Sequence, residues 1–343
     1  MLKQLMMING LREDMAAVDM YIDEFLKTDM YSGVIAEVFD SVKNTRGKMI
    51  RPMLLLLSAR FGSDYDRVRE RLCRLGAMVE IVHMASLVHD DIIDDSPMRR
   101  GRITAQARFG KDVAVYAGDF MISRVIYHAA REDKTREDVL RVIAILGNTA
   151  EEMCRGEIGQ KLSRWDTEMT IDTYLKNIRG KTVALFTAAA KIGAFESGCT
   201  QQDIDNLGGV GEKIGYLFQM RDDLLDIVSS QQQEAKPVQK DFSDGIYTIP
   251  VLYALGKEEY GGRLREIAKI DANADNYSRY LSEVSDIVHS SGGIRYARAR
   301  IEDYASQAAT QLTALPRRNA TAAIEKLIGF LSSAGDVKKA PLI

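Results

Sequence analysis

Apolar residues recur at helical spacing along almost all of this 343-residue chain, and only six prolines break the pattern: Pro52, Pro97, Pro237, Pro250, Pro316 and Pro341. A proline inside a helix removes a hydrogen bond and clashes with the preceding turn, so a chain this poor in breakers is free to form long helices. The periodicity predicts helices over roughly 5–27, 32–43, 52–61, 65–95, 111–131, 135–162, 170–196, 201–230, 248–256, 276–289, 293–312 and 317–332. Pro52 is expected to open a helix, Pro97 to follow one and Pro316 to precede the last. No stretch alternates as a strand does and none reads as a linker, so the expectation is one all-α domain over 1–343. The least regular segment, 229–247, reads as a polar surface loop, and the C-terminal AGDVKKAPLI as a loose tail.

The net charge of −3 gives no reason to expect nucleic acid as a partner. Cys73, Cys154 and Cys199 are widely separated and form no metal-type pair, which reads as reduced, buried thiols. No apolar run is expected to reach the roughly 20 residues that cross a bilayer, and the N-terminus lacks the apolar core of a signal peptide. The expected location is the cytoplasm.

One pattern occurs twice. Asp90, Asp91 and Asp94, extended by Asp95, follow the apolar run VEIVHMASLVH; Asp222, Asp223 and Asp226 follow GYLFQMR. At about 100° per residue, positions i and i+4 lie only about 40° apart, so Asp90 shares a face with Asp94 and Asp222 with Asp226. Carboxylates stacked on one face repel each other, and acids at a helix C-terminus meet the unfavourable end of the dipole. A cation would relieve both costs. Hard oxygen donors without cysteine suit Mg²⁺, which keeps some of its waters and is shared with substrate phosphates. One such cluster is as readily a solvated helix end; two intact copies on separate apolar helices point to metal around a diphosphate.

A diphosphate calls for convergent cations. Candidates are Lys48 and Arg51 in GKMIRP, Arg99 and Arg100 in SPMRRGRIT, Lys181 in RGKTVALF and Lys236 in the polar loop. The Arg99–Arg100 pair is tethered a short turn beyond the first cluster. His83 and His89 are six residues apart, about 240° around a helix, and so are no metal pair. Spacing alone leaves His83 equally a core residue.

Taken together, GKMIRP, EIVHMASLVHDDIIDDSPMRRG, AGDFMIS, GEIGQ, GKT and FQMRDDLLD resemble, in order, motifs of the trans-prenyl diphosphate synthases, the polyprenyl synthetase family, between about Gly47 and Pro250. The resemblance implies the isoprenoid synthase type of helical bundle, with a central cavity. It implies that Asp90 and Asp94 bind two Mg²⁺ ions with Asp91 in support, and that Asp222 binds a third, flanked by Asp223 and Asp226. Arg99, Lys181 and Lys236 would hold an allylic diphosphate, while Lys48, Arg51, His83 and Arg100 would hold isopentenyl diphosphate. Oxygens around Lys181, Thr182 and Gln219 would face the developing allylic cation. The implied chemistry is ionisation, condensation and elimination, with the departing diphosphate as base. That needs no side-chain nucleophile and agrees with the lack of a hydrolase triad. A homodimer is the family default, and an apolar product could bring the enzyme to a membrane surface transiently.

Three motifs depart from the family. AKPVQKD stands for GKxxGxD, with Gln239 in it; GIYT stands for GKxT, with Ile246 for lysine; RRGRIT lacks a proline. None removes a proposed magnesium ligand. In the family an aromatic residue just before the first cluster closes the product pocket; here Ala85 and Ser86 are small, which implies a long-chain product. A shorter farnesyl or geranylgeranyl product follows instead if Phe120, Met121 or Tyr127 closes the tunnel. An HD-type metal phosphohydrolase would need histidines before His83, and none exists. A terpene cyclase would not need a second diphosphate site. A regulatory subunit would lack an acidic cluster, whereas the catalytic subunit of a heteromeric synthase would keep both.

Overall fold

The computed structural model describes residues 10–27, 32–45, 47–132, 135–228, 240–274 and 276–333. Lys236, Gln239 and the C-terminal tail lie outside these residues. The central element is α4 (Tyr65–Ile93), which buries every residue from Leu75 to Val82. Before it run α1 (Leu11–Leu26), α2 (Ser32–Thr45) and α3 (Ile50–Ala59), and all ten residues of α3 are buried. After it come α5 (Ala105–Phe109), α6 (Lys111–Ala130), α7 (Arg136–Leu162) and α8 (Ile171–Ile178). The long α10 (Gln201–Val228) lies against α9 (Ala184–Glu196), which also packs on α3. Gly193 makes the α3–α9 contact: a Cβ there would stand 2.1 Å from the Leu55 carbonyl oxygen. The remaining helices are α11 (Lys240–Ser243), α12 (Ile249–Leu255), α13 (Glu258–Ile267), α14 (Tyr277–Ser290), α15 (Gly293–Thr313) and α16 (Asn319–Ser332); α15 and α16 cover α10.

Threonines set several helix starts. Thr104, Thr135 and Thr170 accept the amide hydrogens of Ala107, Asp138 and Thr173 on their side-chain oxygens, opening α5, α7 and α8. Each such cap contributes about 1 kcal/mol. Pro250 lies in the first turn of α12, where its missing N–H costs nothing.

The structure corrects several expectations. The helix expected over 170–196 is broken by a π-helical turn, Arg179–Val183, between α8 and α9. The missed α13 contains the pair Gly261–Gly262, which lowers helix propensity; Gly261 is nonetheless required, since a Cβ would meet the Leu255 carbonyl oxygen at 2.3 Å. A ribbon was missed too: β1 (Met98–Arg99) pairs antiparallel with β2 (Arg102–Ile103). Its strands are too short to show alternation. Arg100 and Gly101 make its turn with φ of 51° and 73°, the two left-handed residues a tight hairpin demands. The short α5 and α11 were also unforeseen. Of the cysteines only Cys73 is buried, and Cys154 is exposed. Finally, α4 is long and apolar enough by length and composition to cross a bilayer, contrary to expectation, but 72% of its apolar window is buried inside the bundle. It is a core helix.

The π turn rests on backbone packed directly against α7. A Cβ on Gly156 would lie 2.2 Å from the Lys181 amide nitrogen, and one on Gly180 would lie 2.5 Å from the Glu152 carbonyl oxygen. Neither neighbour can swing aside. Gly156→Ala is therefore expected to destabilise the protein by about 1–3 kcal/mol, measured by urea unfolding; a change below about 0.5 kcal/mol would show that the contact is not tight.

Candidate active site

Both acidic clusters occupy the last turns of core helices, α4 and α10. Burial pushes Asp90 up to about 7, with Glu157 and Asp94 adding to the rise and Lys181 and Arg99 opposing it. Lys181 sits on the π turn, where its ammonium donates to Glu157 at 2.9 Å and to Gln160 Oε1 at 2.8 Å. Burial works against its charge, yet Asp90 and Glu157 raise its pKa on balance. Asp91 turns inward and accepts from Arg99 Nε at 2.8 Å. Asp94 pairs with Arg164 at 2.9 Å, and Asp95 with Lys111 at 2.9 Å. Asp90, Asp94, Glu157, Gln160, Arg164 and Lys181 all line one cleft of about 140 Å³.

In the second cluster Asp223 is the buried member. It accepts from Tyr174 Oη and, at 2.8 Å, from Gln219 Nε2, while Gln219 Oε1 accepts from Thr182 Oγ1 at 2.6 Å. The chain Thr182–Gln219–Asp223–Tyr174 thus ties the π turn to α10 and α8. Burial pushes Asp223 up to about 7 against both hydrogen bonds. Asp226 receives the backbone N–H groups of Lys240 and Asp241, both at 3.3 Å, and so caps α11. Asp241 is driven well above the carboxylate range by burial and by Asp226, Asp223 and Asp222.

A group of cations gathers near Glu80 and Asp222. Arg51 is buried with its guanidinium 4.6 Å from the Phe186 ring centroid, and burial lowers its pKa to about 10 despite Glu80. His83 is pushed well below its ordinary value by burial and by Arg51, Arg100 and Arg99, so it stands neutral at pH 7. Burial, then Arg221 and Arg100, lowers Lys48; burial, then Arg99, lowers Arg100, with Glu80 and Asp222 opposing. Gly47 admits Arg100: a Cβ there would be 2.9 Å from its guanidinium nitrogens. Mutually repelling cations of this kind form a site prepared for an anion.

Comparison with known proteins places the chain in a family. Residues 32–284 match the Polyprenyl synthetase family. The chain belongs to this family. It is 32% identical over 325 residues to heptaprenyl diphosphate synthase component 2 of Geobacillus stearothermophilus, covering 95% of this chain and 97% of that one. It is 32% identical over 306 residues to octaprenyl diphosphate synthase of Escherichia coli, covering 89% and 90%. A polyprenyl synthase from Caulobacter crescentus, complexed with calcium and isoprenyl diphosphate, superposes with a TM-score of 0.85 at 25% identity over 97% of this chain and 98% of that one.

Polyprenyl synthetases use Mg²⁺, and the donor set here fits that ion. Asp90 is a carboxylate held above its ordinary range by burial and by its acidic neighbours, which a divalent ion would relieve. Among the described residues no three carboxylate, histidine or cysteine groups converge on one point. That suits a metal taking one or two carboxylates and completing its shell with phosphate oxygens and water.

Sequence reasoning brought together the aspartates, Lys48, Arg51, His83, Arg99, Arg100, Lys181, Thr182 and Gln219, while Lys236 lies outside the described residues. It missed Arg164, Tyr174, Glu80 and Arg221, and gave Glu157 and Gln160 no role although GEIGQ was noticed. Arg221, directly before the second cluster, carried the one local signal. The others reach the site only through packing.

Because Asp90 sits at about 7 in the fold and near 4 unfolded, it binds a proton more strongly when folded. Its contribution to metal-free stability is fully present below about pH 4 and is lost as pH rises through about 7. His83, held neutral, acts in the opposite direction, so the informative quantity is a difference. In EDTA, the stability of the wild type relative to Asp90→Asn is expected to fall between about pH 4 and 8, read by thermal melts. A difference that grows with pH would contradict the burial of Asp90.

Proposed function

We propose that the chain condenses isopentenyl diphosphate with an allylic diphosphate and builds a long-chain trans-polyprenyl diphosphate, acting as a single domain. The observation that carries this reading is the division of cations into two sets flanking the clusters. Lys181 lies beside Asp90 in one cleft; Lys48, Arg51, Arg100 and Arg221 form a second group, with neutral His83 among them. A hydrolase or a cyclase needs one such set. Two diphosphates need two.

In this reading Lys181 and Arg99 hold the allylic diphosphate, with Lys236 as a further contact. Glu157 and Gln160 fix the Lys181 ammonium so that little reorganisation is needed as charge develops on the leaving group. Asp90, Asp94 and Asp222 would hold magnesium, three ions in this reading, which would supply electrostatic stabilisation of that leaving group. Arg51, Arg100 and Lys48 anchor isopentenyl diphosphate, and neutral His83 offers it a hydrogen bond without competing for charge. Thr182 and Gln219, locked to each other, present oxygen dipoles where the allylic cation forms. The buried Phe186 ring under Arg51 and the apolar wall of α4 keep water from that cation. The departing diphosphate takes the proton as the new double bond forms.

The similarity to heptaprenyl and octaprenyl diphosphate synthases supports a product of roughly six to ten isoprene units, each about one helical turn long. Ala85 is fully buried on α4 and Ser86 half-buried, and both side chains are small where the family's short-chain members carry an aromatic residue. Tyr127, one rival for closing a tunnel, is 48% exposed. The expected assembly is a homodimer through the exposed apolar residues Val115, Tyr116 and Ile126 of α6 with Leu140 and Ile158 of α7. Likeness to a protein named as component 2 favours one alternative, a companion chain on that face. Substrates soluble in water suit a cytoplasmic enzyme that meets a membrane only on product release.

The chain purified alone and supplied with labelled isopentenyl diphosphate, an allylic primer and Mg²⁺ is expected to make long polyprenyl products. Asp90→Ala and Asp222→Ala should each cut turnover by roughly 100-fold or more while leaving the melting temperature nearly unchanged. Near-normal turnover in either folded variant removes the two-cluster reading. Inactivity of the wild type that a companion chain restores would establish the heteromer. Ala85→Phe is expected to shorten the product distribution without stopping condensation; an unchanged distribution would mean that Ala85 does not border the growing chain.

A further inference from the structure

We propose that Arg164 is an internal counter-ion that occupies Asp94 in the metal-free protein and must leave before a divalent ion binds there, so that it sets the metal affinity of the first cluster. The inference rests on the reading of Asp94 as a metal ligand. Its own observation is independent of that reading: the Arg164 guanidinium donates to Asp94 Oδ1 at 2.9 Å across 70 residues of sequence.

The position of Arg164 is fixed by its neighbours. It lies two residues beyond the end of α7, in a turn where Ser163 Oγ donates to the Gly159 carbonyl and accepts from Asn177 Nδ2. The next residue, Trp165, has φ of 64°, a left-handed conformation that costs a non-glycine residue free energy and needs outside support. That support is on the other side of the site. The Trp165 amide donates to the Gly245 carbonyl at 2.8 Å, and its ring fills the place of a Cβ on Gly245. Gly245 lies two residues beyond α11, which Asp226 of the second cluster caps. The backbone under Arg164 is thus pinned from both sides, while its side chain, only partly exposed, reaches into the cleft shared by Asp90, Asp94 and Lys181.

Such a cation does two things. It offsets the repulsion between Asp94 and Asp90 at the end of α4, where no metal is yet present. It also competes for the same oxygen, since an oxygen bonded to a guanidinium must be released before it can ligate a cation. Lys181 differs: its ammonium is held by Glu157 and Gln160. The competing role therefore belongs to Arg164.

The test uses the full chain and Mn²⁺ alone, with free ion counted by electron paramagnetic resonance and no substrate present. Removing an exposed or half-exposed ion pair changes an equilibrium by roughly two- to fivefold. Arg164→Gln is expected to bind Mn²⁺ tighter by that factor, and Arg164→Lys, which keeps the charge, is expected to stay within about twofold of the wild type. Equal or weaker Mn²⁺ binding by Arg164→Gln overturns the counter-ion role and leaves the metal site standing. Tighter binding by Arg164→Lys to the same degree as Arg164→Gln also overturns it, because charge would then not be the cause. Failure of all three proteins to bind Mn²⁺ overturns the metal reading of Asp94 and this inference with it.

Discussion

Carboxylates buried at the C-terminal ends of two core helices must be neutralised, and most of the polar structure of this protein answers that requirement. Asp90, Asp91 and Asp94 close α4; Asp222, Asp223 and Asp226 approach the end of α10. Each end already carries the negative pole of its helix. The buried members, Asp91 and Asp223, have committed partners in Arg99, Tyr174 and Gln219. The more open members face the cleft or cap α11. Burial leaves Asp90 pushed up to about 7, and a divalent ion bound there would displace its proton.

The cations obey the converse constraint. Burial lowers Lys48, Arg51, Arg100 and Arg221; Arg221 and Arg100 deepen the fall at Lys48, Arg100 at Arg51 and Arg99 at Arg100, and Glu80 opposes it at Arg51 and Arg100 only in part. The site therefore holds two fields of opposite sign near each other. In the proposed reading metal ions would answer one and diphosphates the other, which would make their binding mutually favourable. Rigid backbone holds these fields in place. The π turn fixes Lys181 and Thr182, and it exists because Gly156 and Gly180 let α7 press on it with no side chain between. Departures from regular helix of this kind are frequent at functional sites.

The family's variation in motif falls outside these constraints. Ile246 replaces a lysine, yet its amide is tied to the Asp241 carbonyl at 2.8 Å, so the turn after α11 is held by backbone. Arg102 and Ile103 form β2, opposite Arg99 and Met98, and the missing proline leaves that pairing intact. The left-handed Arg100 in the ribbon's turn sends the two arginines different ways, Arg99 to Asp91 and Arg100 toward Gly47.

Helix identity, the two acidic clusters and most of the cations were legible in the sequence because each depends on local spacing: i, i+4 geometry places Asp90 over Asp94 whatever surrounds them. Neither Arg164 nor Tyr174 could be found that way. Arg164 meets Asp94 across 70 residues and Tyr174 meets Asp223 across 49, and nothing in the intervening chain marks either pair. The π turn was likewise hidden, since RGKTV is an acceptable helix until Gly156 of another helix presses on it. Sequence by itself determined which residues are acidic, which are basic and which faces they share. Only the tertiary structure decided which carboxylates are buried, which arginine answers which of them, and where two fields of opposite sign meet, because burial and long-range pairing are properties of packed helices and not of any one of them.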